Sequence, residues 1–192
     1  MSLRGVSDIN DFDKVVRTIC RESLEESLLE INNNHQIADI MNIIENFNMK
    51  PVIENKNLRF FTLIPKDLPN IMGDRHRLPQ VLKNLLVNAI KFTDNGSIGI
   101  EAEKKDDYIL ISIKDTGIGI SKDELKKIFT KFYQAYTGDD RKNEGTGLGL
   151  FICKEILQKH NGEIWAESQL GKGSNFIIKL PYLHKMVVDL NK

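Results

Sequence analysis

Between Asp74 and Lys114 the apolar residues change their period, and that change restricts the folds open to this chain of 192 residues more than any other feature. Over 74–92 the repeat is helical. At about 100° per residue, Leu78, Val81, Leu82, Leu85, Leu86, Ala89 and Ile90 share one half of the circumference. "TDNGS" (93–97) then supplies an Asn-Gly turn signal, and the period falls to two over 97–103 and again over 108–114, joined across "KKDD" as a β-hairpin. The chain is therefore mixed α/β.

The rest follows in the same terms. Residues 8–30 carry a helical repeat at Phe12, Val15, Val16, Ile19, Leu24 and Leu28, and "INNNH" (31–35) breaks it. Ile37, Ile40, Met41, Ile44 and Phe47 mark a second helix running to about Asn55, with Pro51 as a complication. Residues 58–64 read as a strand stopped by "PKDLP". Ser121 and Glu124 form a capping box at the head of a short helix over 121–130. Residues 131–145 are polar and without period, a mobile loop, and a helix over 146–160 and strands over 163–168 and 174–181 follow before a charged tail.

Lys and Arg (27) balance Asp and Glu (27), so no overall field draws the chain to nucleic acid or to an anionic membrane. No apolar run approaches membrane-span length and no signal peptide opens the chain, which implies a soluble piece whose parent can still be membrane-anchored. Cys20 and Cys153 show no metal or disulfide spacing; two buried free thiols in a reducing, cytoplasmic compartment are expected.

Three stretches carry chemistry. Opposite the apolar stripe of 74–92, Asn84, Asn88 and Lys91 line one ridge with Phe92 at its edge. Amide oxygens are hard neutral ligands suited to Mg²⁺, an ammonium can neutralise a phosphate oxygen, and a ring can face a base. Such a face equally suits solubility alone. In "ILISIKDTGIGI" (109–120), Asp115 ends a strand ahead of Gly117 and Gly119, with Ile120 closing the loop. That carboxylate can accept from an exocyclic amine such as adenine's, and the glycines let a flat ring approach the backbone; a tight Asx turn reads the same way. In "EGTGLGLFICKEI" (144–156), Gly145, Gly147 and Gly149, separated by Thr146 and Leu148, precede a helix whose bare N–H groups form an anion site. A floppy connection is the plain alternative.

Taken in order, with Phe129 and Phe132 between them and "GKGSNF" (171–176) after them, these stretches resemble the ATP-binding domain of sensor histidine kinases over residues 51–183. The resemblance implies a two-layer α/β sandwich of the Bergerat type, shared with gyrase, heat-shock chaperones and MutL. Its sheet is mixed, mostly antiparallel and five-stranded, under three helices and here preceded by N-terminal helices. ATP and Mg²⁺ are the implied ligands. By the resemblance Asn88 is the metal ligand, Asn84 its neighbour, Lys91 the phosphate contact, Phe92 the adenine neighbour and Asp115 the adenine selector. Ser174 is a water-mediated helper, Phe129 and Phe132 the foot of a lid, and the glycines the phosphate cradle. Hydrolytic relatives place a glutamate base at the position of Asn84, so transfer to a histidine is expected over hydrolysis.

Such kinases carry the accepting histidine in a His-Glu or His-Asp pattern ahead of this domain, and this chain has none. His35 reads as a capping or surface residue, His76 and His184 as solvated, and His160 as a cation suited to a helix end. Residues 1–50 are then a helical linker or remnant of the dimerisation hairpin, 51–183 the catalytic domain and 184–192 a tail. The implied partners are the parent's phosphoacceptor hairpin, dimeric in the full protein, and a response regulator receiver domain. No nucleic acid and no direct membrane contact are expected. A nucleotide-gated switch without chemistry and an ATPase of the gyrase branch are the competing readings.

Overall fold

The structure is a computed structural model that describes residues 36–38, 50–135 and 146–182. All of them fall in one compact unit, His35–Lys192. The hairpin foreseen in the sequence is its centre: β4 (Ser97–Lys104) pairs antiparallel with β5 (Tyr108–Asp115). β7 (Gly173–Pro181) adds to β5 and β6 (Glu163–Gln169) to β7, both antiparallel, while β2 (Arg59–Leu63) lies parallel to β4 on the other side. The sheet runs β2-β4-β5-β7-β6, mixed and mostly antiparallel as expected. The one parallel pair needs a crossover, and α2 (Arg77–Phe92) lies within it.

The helices follow from local chemistry. The carboxylate of Asp74 accepts from the N–H groups of His76 (2.7 Å) and Arg77 (3.1 Å), so α2 begins after Asp74 rather than at it. Its apolar stripe is buried residue for residue as the period predicts. It meets the inward faces of the sheet, among them Ile98, Ile100, Ile109, Ile111, Ile113 and Ile178, and each such side chain contributes about 1.5–3 kcal/mol on burial. α4 (Gly149–Lys159) packs beside α2 through Cys153, Ile156 and Leu157. α3 (Lys122–Leu125) carries the expected capping box, with Glu124 N–H donating to Ser121 Oγ, and gives way to turns through Thr130 sooner than the sequence suggests.

One expectation is corrected. Ile37 is not helical but central in β1 (Gln36–Ala38), opposite Met72 in β3 (Ile71–Gly73), a two-stranded sheet whose partners are far apart in sequence and leave no periodic trace. The end of the foreseen helix is α1 (Lys50–Asn55), where Pro51 sits in the first turn and its missing N–H costs nothing; Ile40, Met41, Ile44 and Phe47 lie outside the described residues. The helix over 8–30, its break at 31–35, Cys20, His35 and the tail lie outside the described residues. Among those described, no helix is long and apolar enough to cross a membrane.

Candidate functional site

Asp115 is placed by the alternation of β5. As the last residue of that strand it continues the inward, buried face, in register with Ser174 of β7. Its Oδ1 accepts from the N–H of Gly117 (2.8 Å) and of Ser174 (3.3 Å). Oδ2 has no hydrogen-bond partner among the described residues. Burial pushes the carboxyl above the usual carboxylate range, and the two backbone donors pull part of the way back.

The loop after Asp115 is locked by the protein itself. Ile118 N–H donates to the carbonyl of Phe92 at the end of α2, Gly171 N–H to the carbonyl of Ile118, and Ile120 N–H to Ser168 Oγ. A Cβ on Gly117 would stand 2.3 Å from the Phe92 carbonyl oxygen, and one on Gly119, where φ is +69°, 2.1 Å from that of Gln169. The space that a Cβ would take at each of these glycines is held by the chain's own backbone. Ser174, expected to act through water, gives its N–H to Asp115 and holds its hydroxyl 3.0 Å from Ser168 Oγ. Ser168 was missed, because a serine in an alternating strand carries no signal of its own.

On α2, Asn84, Asn88, Lys91 and Phe92 are all half-buried, on the side away from the core stripe. Lys91 Nζ lies 5.3 Å from the centroid of the Phe92 ring. Thr93, the next residue, is fully buried, and its Oγ1 has no partner among the described residues. The described residues hold no cluster of three or more His, Cys, Asp or Glu fit for a metal ion. A divalent cation here would rest on amide oxygens and on the oxygens of whatever it accompanies.

The third element is the start of α4. Gly147, with φ +67°, cannot be helical, so the helix starts at Gly149 and not at Thr146. Leu148, at the N-cap, offers no side-chain hydrogen bond to its first turn. A Cβ at Gly149 would meet nothing within 4 Å, whereas one at Gly147 would stand 2.6 Å from the backbone of Phe132. Phe132 is itself at φ +63° and 66% exposed, a bulky residue in a left-handed conformation. Phe129 instead packs edge-on to Phe176 in the core, ring centroids 6.5 Å apart. Thr146 is exposed and Leu148 half-buried; Gly145 lies outside the described residues.

His160 departs from expectation. Buried at the end of α4, it receives the Asp74 N–H at Nε2 (2.8 Å) and lies with Nδ1 2.7 Å from the carbonyl of Ile156. A backbone N–H only donates, so Nε2 presents a lone pair and the ring proton sits on Nδ1. This histidine is neutral, not a cation at a helix end. His76 is exposed, as expected.

A cavity of about 400 Å³ opens beside Asp115, Ser168 and Ser174, lined also by Phe61, Lys114, Glu167, Gln169, Lys172 and Asn175. Asn84, Asn88 and Lys91 do not line it.

Residues 73–184 match the family described as histidine kinase-, DNA gyrase B-, and HSP90-like ATPase. The chain belongs to this family. Among curated proteins it is 38% identical over 181 residues to the sensor histidine kinase RcsC of Escherichia coli K12, an alignment covering 93% of the chain and 18% of RcsC. The chain thus spans less than a fifth of that relative. Among solved structures it resembles the catalytic domain of the histidine kinase ThkA (TM-score 0.68, 30% identity, 78% of this chain and 98% of that one). It also resembles ThkA in complex with the response regulator TrrA (0.72, 26%, 96% and 54%). Full-length ShkA in complex with AMPPNP is a further match (0.70, 29%, 79% and 32%). The HATPase architecture accounts for the five-stranded sheet and for the helices laid on one of its faces.

Proposed function

We propose that residues 51–183 are the ATP-binding catalytic domain of a sensor histidine kinase, which holds Mg-ATP and delivers its γ-phosphate to a histidine outside those residues. The observation that carries this reading is Asp115: a buried carboxylate with one oxygen pinned by two backbone donors and the other left to accept from an amine. Adenine's exocyclic amine is such a donor, and a purine without it would face an unsatisfied acceptor. Asn88 would hold Mg²⁺ through its amide oxygen with Asn84 beside it, Lys91 would meet phosphate, and the uncapped first turn of α4 would bind the phosphate tail through its N–H groups. Mg²⁺, when bound, neutralises phosphate charge and holds the oxygens for in-line transfer.

Residue 84 decides the nucleophile. Its side chain is an amide, with no capacity to take a proton from water, so hydrolysis lacks a base, whereas a neutral imidazole needs far less activation. The chain then works by positioning: Asp115 selects, Asn88 and Lys91 hold the charged tail, and the partner histidine attacks. That histidine belongs to the parent's dimeric hairpin, and the phosphoryl group passes on to a response regulator aspartate; ThkA's complex with TrrA supports this partnership by relation. Mixing the chain with a separately made dimerisation hairpin, ATP and Mg²⁺ should yield acid-labile phosphohistidine. Normal nucleotide binding with no such product would refute the transfer.

A further inference from the structure

We propose that Ser168 is a positioning residue that sets base specificity: by taking the hydroxyl proton of Ser174 it leaves the Ser174 oxygen a pure acceptor beside Asp115. This corner of the site then admits a base carrying an amine and turns away one carrying a carbonyl. The inference rests on the nucleotide reading above and adds to it the residue that fixes the polarity. Ser168 on β6 stands opposite Ser174 on β7, and Ser174 opposite Asp115 on β5, one row across three strands. The Ser168 hydroxyl receives the Ile120 N–H at 2.8 Å, gives its proton to the Gly173 carbonyl at 2.7 Å and lies 3.0 Å from Ser174 Oγ.

Those three contacts leave one arrangement of protons. A hydroxyl has one proton and two lone pairs. A backbone N–H only donates, so Ile120 occupies one lone pair of Ser168. A carbonyl only accepts, and two oxygens 2.7 Å apart with no proton between them repel, so the Ser168 proton lies toward Gly173. What remains for Ser174 is the second lone pair, and Ser174 must supply the proton. Its own oxygen, with no further partner among the described residues, keeps only lone pairs, and Oδ2 of an ionised Asp115 is an acceptor too. A water held between the two would spend its protons on them and turn its own lone pairs outward, with the same result. Adenine's amine brings two N–H groups to this corner. A carbonyl in the same place brings lone pairs to lone pairs, and neither side has a donor to give.

The test is a calorimetric titration of the whole chain with ATP and with ITP, whose base carries a carbonyl where adenine has its amine. Wild type, Ser168→Ala and Ser168→Thr are compared, each with its melting temperature. In Ser168→Ala the Ser174 hydroxyl is free to turn and donate to that carbonyl, so the preference for ATP over ITP should fall about three- to tenfold. Loss of the tie to Ile120 weakens both nucleotides alike and cancels in that ratio. Ser168→Thr, which keeps the hydroxyl, should hold the preference within about twofold of wild type. A preference that survives in Ser168→Ala, with both nucleotides weakened in one proportion, would overturn the proposal, and so would a Ser168→Thr that loses as much as Ser168→Ala. Should Ser168→Ala not fold, neutron diffraction from wild-type crystals exchanged into D₂O decides. The Ser174 deuteron must point at Ser168 Oγ, and one that points elsewhere is equally fatal. Wild type that binds neither nucleotide sinks the nucleotide reading and this selection with it; wild type that prefers ATP, with the preference intact in Ser168→Ala, sinks only this inference.

Discussion

The two ends of the proposed site are built on opposite plans. Around Asp115 the protein has used its own polar groups and its own bare backbone: two N–H groups on one carboxylate oxygen, Ser168 bonded to Ile120 and close to Ser174, and glycines pressed against the carbonyls of Phe92 and Gln169. At the head of α4 it has left things undone, with an apolar Leu148 at the N-cap and nothing near the missing Cβ of Gly149 among the described residues. The first end is finished before any ligand arrives. The second would be completed by one. A flat, neutral base gains from a rigid slot, which spares ordering costs at binding, whereas a charged tail that must arrive and leave gains from N–H groups that no side chain already holds.

Glycine substitutions should divide along this line. Gly119→Ala forces a side chain into a left-handed position and against the Gln169 carbonyl, and should cost about 2–4 kcal/mol of stability in a denaturant titration. Gly149→Ala should cost no stability, and a melting temperature as low as that of Gly119→Ala would erase the contrast between the ends. Gly147→Val belongs to the first class despite its place in the phosphate motif, because its Cβ would strike Phe132.

Affinity should divide as well. Asp115→Asn presents an NH₂ to adenine's amine and leaves donors facing each other, so adenosine and ATP should both bind about 10- to 100-fold more weakly with the fold intact. Retained affinity would remove Asp115 from the site. Gly149→Ala should act on the tail alone, weakening ATP roughly three- to tenfold while adenosine holds. Equal losses for the two ligands would show that the ends are not separate.

The smallest effect is in pH. Because the folded pKa of Asp115 lies above its unfolded value, the folded chain keeps this proton to higher pH. The stability this contributes is full below the ordinary carboxylate pKa and is lost as pH rises through the raised one. Nucleotide binding runs the other way, since the amine needs the ionised oxygen: affinity for adenosine should climb with pH across that window, with uptake of the ligand releasing a proton. Calorimetry in buffers of different ionisation heat measures that proton, and Asp115→Asn should abolish its release.

Much of this was legible beforehand. The stripe of α2, the hairpin, the capping box at Ser121 and the inward end of β5 follow from periods and local spacing, and the structure places each where the pattern puts it. What local pattern misses is long-range pairing. β3 is three residues long and pairs with β1, so Ile37 reads as helical until its partner strand is seen. The charge state of His160 depends on a backbone N–H 86 residues away. What surrounds Gly117 and Gly119 depends on which backbone returns to them.

By itself the sequence determined which faces are apolar, where the helices and hairpin lie, and which side chains form the ridge on α2, because those properties depend on residues a few positions apart. Only the tertiary structure decided which carboxylate oxygen is spent and which is left, and which glycines are filled and which stand open. Those depend on groups brought together from distant parts of the chain, where one hydrogen bond or one occupied volume sets the outcome.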